Sequence, residues 1–139
     1  MDIKDLLKTK KCACKMEHSC DIKEVVIEHG ATKKIGELAH KYQSIVIAAD
    51  VNTYAVCADY VKEQILDKTE AVQIFKRDGL LIPDEIAIDE LSEKITDKTD
   101  LIIGIGSGVI QDLCKYVSFE KKASILHCGN STVYGRLCI

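Results

Sequence analysis

The sequence predicts an α/β fold: one parallel β-sheet with helices on both faces. Three observations lead there. Short β-branched runs alternate with longer stretches whose apolar residues recur at helical spacing. Two runs, Ile45-Val46-Ile47-Ala48-Ala49 and Leu101-Ile102-Ile103-Gly104-Ile105, carry no polar side chain, as strands covered on both faces do. The chain has 139 residues, enough for a single core-forming domain.

Taken in order, Asp2 to Leu7 reads as a short helix of little information. Cys12, Cys14, His18 and Cys20 follow within nine residues. They are soft ligands suited to zinc, at a spacing unlike common structural fingers. The alternative is cysteine as a small buried hydrophobe. Ile22 to Glu28 reads as a strand punctuated by Gly30. Ile35, Leu38, Ala39 and Tyr42 lie on one face of a helix over 31–42. The strand at Ile45 ends on Asp50, and Asn52 or Thr53 can cap a helix whose face is Ala55, Val56, Tyr60, Val61 and Ile65. Ala71 to Phe75 is another strand. Pro83-Asp84-Glu85 opens a helix over Ile86 to Ile95, with acids in its first turn. Crossovers between parallel strands are expected to be right-handed.

Hydrophobic residues make up 47% and charged residues 29%, an ordinary globular balance, and the formal net charge is -3. That charge gives no electrostatic case for nucleic acid or an anionic membrane. No apolar run approaches a membrane span, and MDIKDLLKTKK does not read as a signal peptide. Seven cysteines without a secretory signal suggest reduced thiols in a cytoplasmic protein.

The organising stretch is Asp100 to Tyr116. A strand runs into glycines at 104, 106 and 108, and a helix starts at once, with Val109, Leu113, Tyr116 and Val117 on one face. Small residues let backbone approach a phosphate, and free N–H groups of the first helical turn point at it. Ser107 can cap the helix or donate to a phosphate oxygen. Gln111 breaks the G-x-G-x-x-G spacing, so a turn needing glycine for steric reasons stays open. Asp50 ends a neighbouring strand, where ligands of open α/β sheets sit. It could accept from a ribose diol or merely cap the next helix.

The segments CACKMEH, VVIEHGA, IVIAADVNTYAV, LIPDEIAIDEL and DLIIGIGSGVIQDLCKYVS resemble the N-terminal half of the sn-glycerol-1-phosphate dehydrogenases. These belong to the superfamily of metal-dependent alcohol dehydrogenases, glycerol dehydrogenase and dehydroquinate synthase. The resemblance covers roughly residues 12 to 118 and implies a Rossmann-like domain over 1–118. It implies that Asp50 binds the adenosine ribose, and that Gly106, Ser107, Gly108, Val109 and Ile110 wrap the pyrophosphate of NAD or NADP. The implied reaction is reduction of dihydroxyacetone phosphate to glycerol 1-phosphate, with a divalent metal, zinc or nickel, polarising the substrate oxygen. That step belongs to glycerophospholipid biosynthesis, and a homo-oligomer is possible.

In such relatives the metal ligands, an Asp and two His, lie in a C-terminal helical domain absent from these 139 residues. None of His18, His29, His40 or His127 is expected to replace them. The chain is therefore expected to be truncated and inactive alone, with no catalytic or metal residue of its own. From Phe119 the tail 119–139 departs from the family. Permitted codons for Ser131 to Ile139, read one base later, allow Pro-Pro-Ser-Met-Asp-Gly-Tyr-Ala-Ser, like the family's TAPSMDGYAS loop, so an out-of-frame tail is expected. Glycerol dehydrogenase is the alternative within the superfamily. A non-catalytic domain with a Cys12/Cys14/His18 metal cluster is the alternative outside it.

Overall fold

The computed structural model describes residues 5, 8, 10–18, 21–129 and 135–138. The helix expected over Asp2 to Leu7 (save Asp5), the cysteine Cys20 and most of the stretch Ser131 to Ile139 lie outside the described residues.

Two antiparallel strands, β1 (Lys10–Lys11) and β2 (Glu17–His18), form a hairpin apart from the main sheet. That sheet contains β3 (Val25–Glu28), β4 (Ile45–Asp50), β5 (Thr69–Phe75), β6 (Leu101–Gly106), β7 (Ser124–Gly129) and β8 (Gly135–Cys138). Its spatial order is β3-β8-β7-β6-β4-β5. Four strands, β5, β4, β6 and β7, run parallel as expected. The other two do not: β8 is antiparallel to both β7 and β3, so the sheet is mixed. The exposure of β3 gives the reason. Only Val26 of its four residues is buried, the pattern of an edge strand, whereas β4 and β6 are buried almost throughout. Both sides of β4 are already taken by β5 and β6.

The helices are α1 (Ile35–Ala39), α2 (Val51–Ile65), α3 (Glu85–Ser92) and α4 (Gly108–Lys121). The stretch 31–42 is less helical than its spacing suggests. Ala31–Lys34 is a 3-10 turn entered through Gly30 at φ 75°, and only five residues of α-helix follow. Asp84 caps α3, its Oδ1 accepting from Ala87 N–H at 2.9 Å. After α4, Lys122 takes the left-handed conformation at φ 58°, and Ala123 N–H returns to the Ser118 carbonyl. This turn drops the chain into β7.

Each face of the sheet carries its own core. On one face, Ile45, Ile47, Ala49, Leu101, Ile103 and Ile105 pack with Ile35 and Ala39 of α1 and Val61 and Ile65 of α2. On the other, Val46, Ala48 and Ile102 meet Ala87 and Leu91 of α3 and Ile110, Leu113, Cys114 and Val117 of α4. Alternate residues of the same strands thus point to opposite layers, which is why β4 and β6 needed apolar residues throughout. Polar residues tie the amino ends of the strands. The Asp100 carboxylate accepts from Gln43 and Ser44 N–H at 2.8 and 3.0 Å. Glu70 accepts from Thr96 and Thr99 hydroxyls at 2.6 and 2.8 Å, and from that of Ser44. These donors hold the Glu70 carboxyl below its ordinary range, the Ser44 hydroxyl contributing most.

Candidate functional site

The two central strands point their carboxyl ends at one crevice. From β4 the chain enters α2, which packs on the first face. From β6 it enters α4, which packs on the second. Adjacent strands whose following helices leave on opposite faces open a gap beyond their ends, the topological switch point of an α/β sheet. Asp50 and Gly106-Ser107 stand on its two sides.

Asp50 caps α2, replacing Asn52 and Thr53 in the role expected for them. Its Oδ1 accepts from both Asn52 and Thr53 N–H at 2.9 Å. A carboxylate is the strongest acceptor available for these orphan donors, and it suits the positive end of the helix. Thr53 instead spans the gap: its buried hydroxyl donates to the Ile105 carbonyl at 2.9 Å. The first turn of α2 is thereby pinned to the end of β6. The cap uses Oδ1, while Oδ2 lies on the Gly106 side.

The three glycines of the turn differ in kind. A Cβ on Gly104 would stand 2.9 Å from Cys114 Sγ, so this glycine lets α4 lie close on the sheet. Gly106 has φ 157°, and a Cβ there would stand 2.8 Å from Ile110 Cγ1 and 3.4 Å from Asp50 Oδ2. Both are required by the protein's own packing. Gly108 is not: a Cβ there meets nothing within 4 Å. It is the first residue of α4 and leaves the helix end bare. Ser107 is the N-cap, exposed, with no cap hydrogen bond from its side chain. The first intrahelical bond runs from Gln111 N–H to the Ser107 carbonyl. The N–H groups of 108–110 therefore have no carbonyl four residues back within the helix. Val109 is partly buried and Ile110 wholly buried in the second core, so these two can offer backbone only.

A cleft of about 260 Å³ opens here, lined on one side by Asp50, Val51 and Asn52 and on another by Ser107 and Val109. Its far wall comes from Phe75, Arg77 and 79–81 at the end of β5. The sequence reading missed this wall. The signal was available, since Arg77-Asp78-Gly79 directly follows a parallel strand, at the end where ligands gather. Arg77 is held by Glu90 of α3 at 3.0 Å, and its guanidinium lies 6.0 Å from the Phe75 ring centroid. The structure thus brings Asp50, Ser107 and Val109 to one cleft, with Gly106, Gly108 and Ile110 forming the turn beneath.

The remaining ligand-type residues are elsewhere. Cys12, Cys14 and His18 sit together on the hairpin, their ligand atoms within 4.8 Å of one another. Backbone and side-chain hydrogen bonds from Cys14 draw the Cys12 thiol below its usual value. Cys114 and Cys128 are buried, and burial pushes each thiol up to about 12. Among the described residues no other group of three metal-binding side chains converges. The residues described therefore do not fit a site made of one carboxylate and two histidines.

These features define a class: a Rossmann-like α/β domain with an open crevice at its switch point. Residues 26–131 match the family model of the iron-containing alcohol dehydrogenases, and the chain belongs to that family. The match runs through β7, past Phe119. The chain is 28% identical over 117 residues to a glycerol-1-phosphate dehydrogenase (NAD(P)+) of Halalkalibacterium halodurans, covering 79% of this chain and 29% of that protein. The enzyme of the same name from Geobacillus thermodenitrificans is 23% identical, over 84% of this chain and 30% of that one. The chain thus spans under a third of the length of these relatives. Among solved structures, glycerol dehydrogenase from Schizosaccharomyces pombe aligns with a TM-score of 0.59 at 24% identity, over 71% of this chain and 25% of that one. A 2-deoxy-scyllo-inosose synthase complexed with carbaglucose-6-phosphate, NAD+ and Co2+ aligns at 0.55 and 12% identity, over 76% of this chain and 31% of that one. At such identities these two alignments speak to the fold.

Proposed function

We propose that these residues hold the NAD or NADP of a dehydrogenase that reduces dihydroxyacetone phosphate to glycerol 1-phosphate. The observation that carries this reading is Gly108. Packing explains the other two turn glycines, while this one only keeps side chains away from the bare end of α4. A pyrophosphate laid there would accept from the N–H groups of 108–110 and from the Ser107 hydroxyl. Asp50 Oδ2 would accept from the adenosine ribose, with Oδ1 kept in place by the helix cap. Thr53 keeps the two halves of the crevice in register. When bound, the nicotinamide supplies a hydride. These residues bind and orient its carrier, and among the described residues one carboxylate and two histidines do not converge to hold the family's metal.

The resemblance to NAD(P)+-dependent glycerol-1-phosphate dehydrogenases supports the substrate. Glycerol dehydrogenase is the second reading, favoured by the sequence likeness to glycerol dehydrogenase 1 of Schizosaccharomyces pombe. The cofactor site would serve either. The free cysteines among the described residues suit a reducing, cytoplasmic location. Exposed Leu80, Ile86 and Phe119 suit association into a homo-oligomer.

Calorimetric titration with NAD, NADP and ADP-ribose tests the reading. Binding of ADP-ribose comparable to that of the whole cofactor is expected, because the contacts lie at the adenosine and pyrophosphate end. No heat from any of the three would end the proposal.

A further inference from the structure

We propose that Cys12, Cys14 and His18 bind one zinc ion, which staples the N-terminal hairpin. The three side chains come from one short turn. Cys12 N–H donates to the Met16 carbonyl at 3.4 Å, and Lys15 N–H donates to the Cys12 carbonyl at 3.0 Å. Lys15 takes a left-handed conformation at φ 65°, which reverses the chain between the two cysteines and the histidine. The pairing of Lys11 with Glu17 and of Lys10 with His18 then returns His18 to the cysteines. Cys14 Sγ and His18 Nε2 lie 3.0 Å apart, and all three ligand atoms fall within 4.8 Å. Zinc bonds of about 2.3 Å to sulfur and 2.0–2.1 Å to nitrogen place tetrahedral ligand atoms roughly 3.5–3.8 Å apart. Closing the site therefore requires movements of no more than about 1 Å on that geometry.

A second observation points the same way. Every residue from Cys12 to His18 is exposed. An isolated two-stranded hairpin is marginal in water. Small elements that lack a core are often held by a metal, whose binding free energy becomes folding free energy. Two thiolates and an imidazole select zinc over harder divalent ions. On binding, the two thiols release their protons to solvent and the neutral imidazole donates a lone pair. The hairpin is separate from the crevice at Asp50, so this site stands independently of the proposed cofactor function.

The test uses the full 139-residue chain, purified under reducing conditions and freed of metal with a chelator. Zinc titration against a chromophoric chelator should give one tight equivalent per chain, with release of about two protons for the two thiols. Cobalt substitution should give sulfur-to-cobalt charge-transfer bands and the intense visible bands of a tetrahedral ion. Cys12→Ser, Cys14→Ser and His18→Ala should each weaken zinc at least tenfold. All three residues are exposed, so circular dichroism should stay unchanged. Hydrogen exchange over 10–18 should slow when zinc is added to the parent and stay fast in the variants. Zinc bound equally well by all three variants, octahedral cobalt spectra, or exchange over 10–18 indifferent to zinc would each overturn the proposal.

Discussion

At the residue scale, the turn glycines separate what the fold needs from what a ligand needs. A branched side chain at Gly106 disturbs the fold itself, because the Cβ points into Ile110 and the φ is positive. Gly106→Val should therefore lower stability by ~2–4 kcal/mol, the combined cost of backbone strain and overpacking. A lower denaturant midpoint with an unchanged slope would register it. Gly108→Ala is the cleaner probe of the cofactor. It should leave stability unchanged or raise it by up to about 1 kcal/mol. NAD or NADP binding should nevertheless weaken by about tenfold or more, ~1.4 kcal/mol. Unaltered cofactor affinity in Gly108→Ala would show that nothing approaches that helix end. Asp50→Ala should lose twice: ~0.5–2 kcal/mol of stability from the missing cap, and ~1–3 kcal/mol of cofactor affinity from the missing acceptor. Asp50→Asn retains a capping side chain, so thermal unfolding should be near that of the parent while the ribose contact is weakened.

At the scale of elements, two ties decide how strands and helices meet. Thr53 fastens α2 to β6 through one buried hydroxyl. Thr53→Val keeps the shape and removes the donor, leaving the Ile105 carbonyl without it at a cost of ~1–3 kcal/mol. Because the tie joins the two sides of the crevice, cofactor affinity should fall in the same variant. Stability loss with full affinity would confine Thr53 to the fold. At the opposite end of the sheet, Glu70 collects three hydroxyl donors from the segments preceding β4 and β6. Its folded pKa is lowered. The corresponding stability is present above the ordinary value of 4.5 and is lost as pH falls through the folded value. Glu70→Gln should flatten the acid limb of a stability-versus-pH curve below about pH 5 and do little near neutrality. The exposure of Glu70 keeps that contribution small. An acid limb identical to the parent's would assign it to other carboxylates.

At the scale of the whole molecule, the sheet has a parallel centre and an antiparallel edge. Residues 135–138, from the tail expected to depart from the family, form the strand between β7 and β3. The proposed function places half of a dinucleotide on this molecule. Chemistry also requires hydride donor, substrate and metal in one near-attack arrangement. Among the described residues, His29, His40 and His127 belong to no group of three metal-binding side chains, and the group that holds His18 contains two cysteines and no carboxylate. The 139-residue chain assayed alone should therefore bind cofactor and show no turnover of dihydroxyacetone phosphate or glycerol, followed by NAD(P)H absorbance with zinc, nickel or iron present. Metal-dependent turnover would overturn this division of labour. The nucleotide sequence of the gene bears on the same point: codons over Ser131 to Ile139 that spell Pro-Pro-Ser-Met-Asp-Gly-Tyr-Ala-Ser one base later are expected. Codons without that match would end the out-of-frame reading.

The sequence by itself determined the central architecture. Apolar periodicity is a local signal, and burial on both faces demands it in full at Ile45–Ala49 and Leu101–Ile105. The glycine turn, the helix start at Pro83-Asp84-Glu85, and the alternation of strand and helix were legible for the same reason. Four things were decided only in three dimensions. Strand order and the antiparallel edge depend on which sides of β4 are already occupied, and no local pattern encodes that. Which glycine serves packing and which leaves room depends on Ile110, Cys114 and Asp50, all at least four residues away in the chain. The Thr53 strut joins residues brought together by the sheet rather than by spacing. The convergence of Cys12, Cys14 and His18 rests on a left-handed Lys15, a backbone choice that side-chain composition does not announce.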